Sequence, residues 1–364
     1  MMNSVSRTAP FFLLSLFMVL FFRPDPVFAH GPLRGKLLDV PHQIYYGFPG
    51  FSASQGLDRS VHARGQVYYL NEFRGYAFDP DEESLDEEGR FSDPDRAREL
   101  TAMDFEALVL DSTLSFPFGR AHRMGISLRF YSYYGGFLDP AIEGFHSAFN
   151  LPNASREYFP QGKTAVSIDN DNGLTIELEG PGILPGDMEI FGIWTFSETR
   201  RTVWGLAWAV ELPTGKKGTP GGNGHTDLGA QLLFEHLLGE SFVLHLQQGF
   251  VVPGELIFGA GGAANPLLIS QSLAGLEWLC SDAWSLLGQI RIHTSPLTSR
   301  APLNHSLFPG ADQFEMPVTA LQTGFRRSYD SWSLQVYLEQ DFLTHEGPDI
   351  LLSVAADWKI GSRN

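Results

Sequence analysis

Cysteine is nearly absent: Cys280 is the single one in 364 residues. One cysteine excludes an intramolecular disulfide and a zinc site built on thiolates, and none lies near the N-terminus to receive a lipid anchor. Basic residues are also short, 25 against 42 acidic ones. That balance excludes nucleic acid as a partner, because neutralising phosphates requires basic patches. Beyond the first thirty residues no apolar run approaches the roughly 20 residues that a membrane-spanning helix needs.

The chain is instead rich in glycine, with 38, and phenylalanine, with 29, while only 18% of it is charged. This composition suits one large β-domain or two smaller ones, and is ordinary for a barrel. Met1 to Ala29 reads as a secretory signal. Arg7 opens it, Ala9 to Phe22 is apolar, and Val27-Phe28-Ala29 places cleavage before His30. Cleavage would remove Arg7, Arg23 and Asp25 and leave the mature chain slightly more acidic. The expected layout is a signal peptide over 1–29, an irregular Gly/Pro-rich periplasmic lead over 30–58, and a barrel over 59–364.

The C-terminal hairpin carries the fold prediction. In Ser331–Phe342, Trp332, Leu334, Val336 and Leu338 alternate with Ser333, Gln335, Tyr337 and Glu339. In Asp349–Ile360, Leu352, Val354, Ala356, Trp358 and Ile360 alternate with Ser353, Asp357 and Lys359. Period two marks strands with two unlike faces, and each run has about the 9–11 residues a tilted strand needs to cross a bilayer. A soluble sandwich edge would alternate too.

Ten further strands are predicted at Arg59–Phe73, Asp104–Phe116, His122–Tyr134, Met188–Phe196, Thr202–Leu212, Thr226–Leu237, Ser241–Phe250, Leu267–Leu279, Ala283–Thr294 and Val318–Arg326. Short and long connections alternate between them, as short periplasmic turns and long extracellular loops should. The segment 135–187 holds a hairpin of its own, residues 164–179, around Asn172-Gly173, a dipeptide favoured in type I′ turns. Its strands are about half a crossing length and are expected above the membrane, with a fourteen-stranded ring as the alternative. The fold class is therefore all-β, a transmembrane antiparallel β-barrel of about twelve strands.

At 211–227, ELPTGKKGTPGGNGHTD, and at 339–360, EQDFLTHEGPDILLSVAADWKI, the sequence resembles a bacterial outer-membrane β-barrel family catalogued as a domain of unknown function, number 3187. The features are Leu212-Pro213-Thr214-Gly215 closing a strand, the Gly-rich loop leading to Asp227, then Gln340-Asp341 and Pro348-Asp349 around the last outer loop. The resemblance implies a single barrel domain and no established activity, so no catalytic residue is carried over.

Other candidate sites favour bland readings. Asp79–Asp95 is highly acidic, but Ser84 and Arg90 stand where a calcium loop wants Gly and Glu. Gly259–Ala264 lacks the helix of a phosphate-binding loop. Asn304-His305-Ser306 lacks a fold that would assemble a nucleophile and its base.

The inward polar set says more: Arg64, Arg123, Arg129, Asp227, Glu235, His245, Glu277, Arg291, His293, Glu339, Asp341 and Asp357 are the candidate lumen-lining residues. Such charges are costly unless they meet water or one another. Two readings follow, a hydrated channel with a cation-favouring rim near Asp341, Glu346 and Asp349, or a closed plug of paired charges. The expected function is a passive outer-membrane pore for small polar solutes, not an enzyme and without cofactor or metal. The expected partners are outer-membrane lipid, lipopolysaccharide and barrel-assembly machinery. The alternatives are a lipid hydrolase using His245, His293 or His305 as base, and a closed structural or surface-binding barrel.

Overall fold

The structure is a computed structural model. It describes residues 31–38, 46–75, 85–87, 89–93, 101–149, 156–162, 164–169, 175–179, 181–217, 219–254, 256–257, 263–264, 268–294, 317–341 and 350–361. In chain order the strands are β1 (Val61–Gly75), β2 (Thr101–Pro117), β3 (His122–Tyr134), β4 (Ala165–Asp169), β5 (Thr175–Glu179), β6 (Gly182–Pro185), β7 (Met188–Glu198), β8 (Thr202–Leu212), β9 (Asp227–Leu238), β10 (Phe242–Val252), β11 (Leu256–Ile257), β12 (Ala263–Ala264), β13 (Ile269–Leu279), β14 (Trp284–His293), β15 (Val318–Ser328), β16 (Trp332–Asp341) and β17 (Ile350–Ile360). An α-helix, α1 (Asp139–Phe149), follows β3.

Twelve of these strands form a closed antiparallel ring, in the order β1, β2, β3, β7, β8, β9, β10, β13, β14, β15, β16, β17. The first and last pair along eleven residues, from Val61↔Ile360 to Asn71↔Ile350. Closure satisfies the backbone groups that lipid cannot hydrate, which is why only a ring or a helix crosses a bilayer. All twelve predicted strands are present, with His122–Tyr134 and Thr202–Leu212 ending at the expected residues. The 164–179 hairpin is also present as β4 and β5, and among the described residues it pairs with the ring at Met103↔Val166 and Asp104↔Ala165. The ring therefore counts twelve, not fourteen.

One end carries tight turns such as 118–121 and 239–241. There Gly119 (φ 74°) and Gly239 (φ 64°) occupy the left-handed region that side chains disfavour. The other end carries the long connections.

Alternation sorts the two faces. Leu110, Leu128, Phe130, Leu232, Leu246, Ile290, Leu338 and Leu352 are exposed on the outside. None of the seven tryptophans is buried. Near the short turns aromatic contacts recur, as in Trp194–Phe196, Trp204–Phe234, Trp284–Phe325 and Tyr329–Trp332. This is the girdle expected where a barrel meets a membrane interface.

The segment expected as a periplasmic lead lies elsewhere. Residues 31–38 and 46–60 pack inside the barrel, with Leu33, Leu38, Tyr46, Phe48, Phe51 and Ala53 in its buried core. The reading as a lead failed because the segment has no period, and its partners lie up to 295 residues away in sequence.

Candidate functional site: the occupied lumen

The inner segment climbs the lumen as one leg, 31–38, and descends as another, 46–60, into β1. Polar side chains of the wall hold its main chain at nearly every step. On the first leg, Arg326 donates to the carbonyls of Gly31 (2.9 Å) and Pro32 (3.1 Å). Gln289 reads Leu33 twice, accepting its N–H at 2.9 Å and donating to its carbonyl at 3.1 Å. Gln66 donates to the Arg34 carbonyl (2.9 Å), and Arg291 to those of Gly35 (2.7 Å) and Lys36 (3.0 Å).

On the second leg, Asp227 accepts the Tyr46 N–H (2.9 Å), Gln271 that of Phe48 (2.8 Å), and Glu235 that of Ala53 (3.0 Å). Arg123 donates to the carbonyls of Gln55, Asp58 and Ser60 at 2.7–3.1 Å. A buried backbone without such partners would pay about 1–3 kcal/mol per orphaned group.

The wall is shaped for this chain as well as charged for it. A side-chain carbon at Gly229 would lie 2.8 Å from the Phe48 ring, and one at Gly249 would lie 3.0 Å from it. Both glycines face inward from neighbouring strands, so their missing side chains make the recess that the ring fills. The legs also hold each other: the Lys36 ammonium lies 4.8 Å from the Tyr46 ring centroid and donates to the Gly47 carbonyl at 3.2 Å.

The charges cluster towards both ends of the lumen. Towards the long loops, Arg129 donates to Glu189, Glu211 (2.8 Å) and Tyr131 (2.9 Å), Lys36 pairs with Glu189, and Arg291 pairs with Glu339 (3.0 Å). In the short-turn half, His245 stands between Glu277 (3.2 Å) and Glu235 (3.5 Å), and Arg326 reaches Glu277 at 3.2 Å. Towards the short turns, His62 bridges Asp58 (2.9 Å) and Asp357 (2.5 Å), and Arg34 approaches Asp357 at 3.8 Å. Among groups outside the strands, burial pulls the Lys36 ammonium down against the opposing pull of Glu189. Burial likewise pushes the Asp187 carboxyl up, although the Gly215 N–H holds it from the other side.

Ten of the twelve predicted lumen residues are buried: Arg64, Arg123, Arg129, Asp227, Glu235, His245, Glu277, Arg291, His293 and Glu339. Asp357 is nearly so, with its side chain 14% exposed. The Asp341 backbone ends β16 opposite Ala320, and its side chain lies outside the described residues, as do Glu346, Asp349 and His305. The structure brings the set together around a peptide chain. It was read as a wall facing either water or itself. Gln66, Gln247, Gln271 and Gln289 were missed because they are neutral, although each sits at an inward position of the same alternation.

The ring of His245 meets carboxylates, and among the described residues no serine hydroxyl bonds to it. Among the described residues no group of three His, Cys, Asp or Glu is placed to hold a metal ion.

Residues 95–359 match the family model described as "Protein of unknown function (DUF3187)". The chain belongs to this family. No curated protein matches it in sequence. Among solved structures, an outer membrane channel from Pseudomonas putida F1 aligns at 11% identity and a TM-score of 0.49, over 84% of this chain and 97% of that one. A Pseudomonas aeruginosa FadL homologue aligns at 11% identity and 0.43, over 86% and 93%. The P. putida toluene transporter TodX aligns at 10% and 0.41, over 91% and 100%.

Proposed function

We propose that this family member is an outer-membrane channel for small polar solutes that rests closed, with residues 31–38 and 46–58 as its plug. The observation that carries the reading is how the plug is held. Wall side chains bond its main chain one group at a time, and each such bond exchanges with water at a net cost of about 0.5–1.5 kcal/mol. A withdrawn plug would therefore leave a wall already able to hydrate. A barrel closed for good has a simpler solution, filling its interior with apolar side chains from its own strands. The apolar outer face and aromatic girdle support insertion in an outer membrane, in contact with its lipid and lipopolysaccharide. Export through a cleaved signal peptide and insertion by barrel-assembly machinery belong to the same reading.

Conductance in a planar bilayer tests it. The refolded full chain should be mostly silent with rare openings, and a variant lacking residues 31–58 should conduct in steady discrete steps. A plugless barrel that folds, as judged by heat-modifiable gel migration, and still passes no current would overturn the channel reading in favour of a structural barrel.

A further inference from the structure

At the short-turn end the plug does not fill the barrel. A cavity of about 460 Å³ remains between the plug's root and the wall. At about 30 Å³ per water molecule that is room for roughly fifteen waters, or for a small solute. Two guanidiniums face this cavity with their donors underused. Arg64, on β1, spends its bonds on the neutral amides of Gln66 (2.9 and 3.1 Å) and Gln335 (3.1 Å), and bonds no carboxylate among the described residues. Arg34, on the plug, lies over the Phe51 ring (5.5 Å to its centroid) and 3.8 Å from Asp357, and its buried Nε has no hydrogen-bond partner among the described residues. Burial, and next the nearby like charge of Arg64, bring the Arg34 guanidinium down to about 10. The one carboxylate beside them, Asp357, is shared: it lies 3.8 Å from Arg34 and opposite Arg64 across β17 and β1.

We propose that this cavity binds a small organic carboxylate, gripped by Arg34 of the plug and Arg64 of the wall. A guanidinium's planar fork matches the two oxygens of a carboxylate. Asp58, Asp357 and Glu198 also border the cavity, with Arg326 and Lys359 standing against them in the same lining. The walls supply hydroxyls from Ser54 and Ser333 for the rest of the solute. Because one arginine belongs to each partner, a bound anion ties the plug to β1. The site stands on this geometry whether or not the plug moves.

The test is calorimetric titration of succinate into the refolded full chain in detergent micelles at low ionic strength. Saturable binding is expected, with none for the neutral analogue succinamide. Arg64→Gln and Arg34→Gln should each weaken it about tenfold or more, the loss of about 1.4 kcal/mol. Arg201→Gln, in an exposed turn between β7 and β8, should leave it unchanged. If the Arg64 variant does not fold, the Arg34 variant decides, since it lies outside the strands. No saturable heat from the folded chain would overturn the proposal, as would equal binding of succinamide, tighter binding of inorganic phosphate, or binding indifferent to Arg34→Gln. A plugless barrel that stays silent in a bilayer sinks the gating reading and leaves this site intact. A conducting barrel that ignores succinate does the reverse.

Discussion

Arg129 faces two glutamates, Glu189 and Glu211, in a part of the lumen where all three side chains are 2% exposed. Removing one member of a buried ionic group leaves its partners charged and unpaired, at a cost of about 3–5 kcal/mol. Arg129→Met should therefore lower the barrel's unfolding midpoint in denaturant strongly, and adding Glu211→Gln should recover part of the loss, with Glu189 kept as the partner of Lys36. If the single variant is as stable as the parent, the triad is not holding the upper lumen. Asp58 poses a different question at the plug's root. Burial alone would raise its carboxyl, but bonds from His62 and the Ser60 N–H, with Arg123 close by, hold it far below the ordinary range. A depressed carboxylate contributes its full stability above the unfolded value of about 3.9 and loses it as the pH falls towards the folded one. Thermal unfolding followed from about pH 5 down to about pH 2 should fall less steeply in Asp58→Asn than in the parent. Parallel profiles would remove Asp58 from the plug's anchorage.

Among the elements, the strands were legible because their information is local. Alternation in Thr202–Leu212 puts Trp204, Leu206 and Trp208 on one face whatever its neighbours are, and inward Glu211 follows from the same count. The 164–179 hairpin was legible for the same reason, through Asn172-Gly173 between two short runs. Among the described residues two register pairs join it to β2, so deleting residues 165–179 should leave a barrel that refolds and migrates as heat-modifiable. Loss of folding would mean that the hairpin helps to close the ring. The plug's seat was not legible. Nothing near Gly229 or Gly249 in sequence signals that Phe48 rests on both. Gly229→Val should unseat the ring at an overpacking cost of about 1–3 kcal/mol. Phe48→Ala in the same chain should relieve that strain, so that the double variant is less destabilised than the two single losses summed. Additive losses would separate the glycine from the ring.

At the scale of the whole molecule, the plug turns a wall of charges into a set of chain-binding groups. Were it withdrawn, Arg64, Arg123, Arg129, Arg291 and Arg326 would share the lumen with a larger acidic set: Asp111, Glu189, Glu211, Asp227, Glu235, Glu277, Glu339 and Asp357. The plugless barrel should thus prefer cations. Glu277→Gln with Asp357→Asn should reduce that preference, read from the reversal potential in a salt gradient, and an anion-selective plugless pore would contradict this account. The amino-acid sequence by itself determined that the chain is an antiparallel barrel of about twelve strands, with fourteen left open, which residues face inward, and where short turns and long loops fall. Those properties follow from a period of two and from turn chemistry, and both act over a few residues. Only the tertiary structure decided what the inward charges face. Arg326 binds Gly31 and Pro32, and Glu235 binds Ala53, across separations of 182 to 295 residues. The bound segment donates and accepts through its main chain, which every residue carries alike. Such a segment leaves no pattern in its own side chains, so its place becomes visible only once the ring has closed around it.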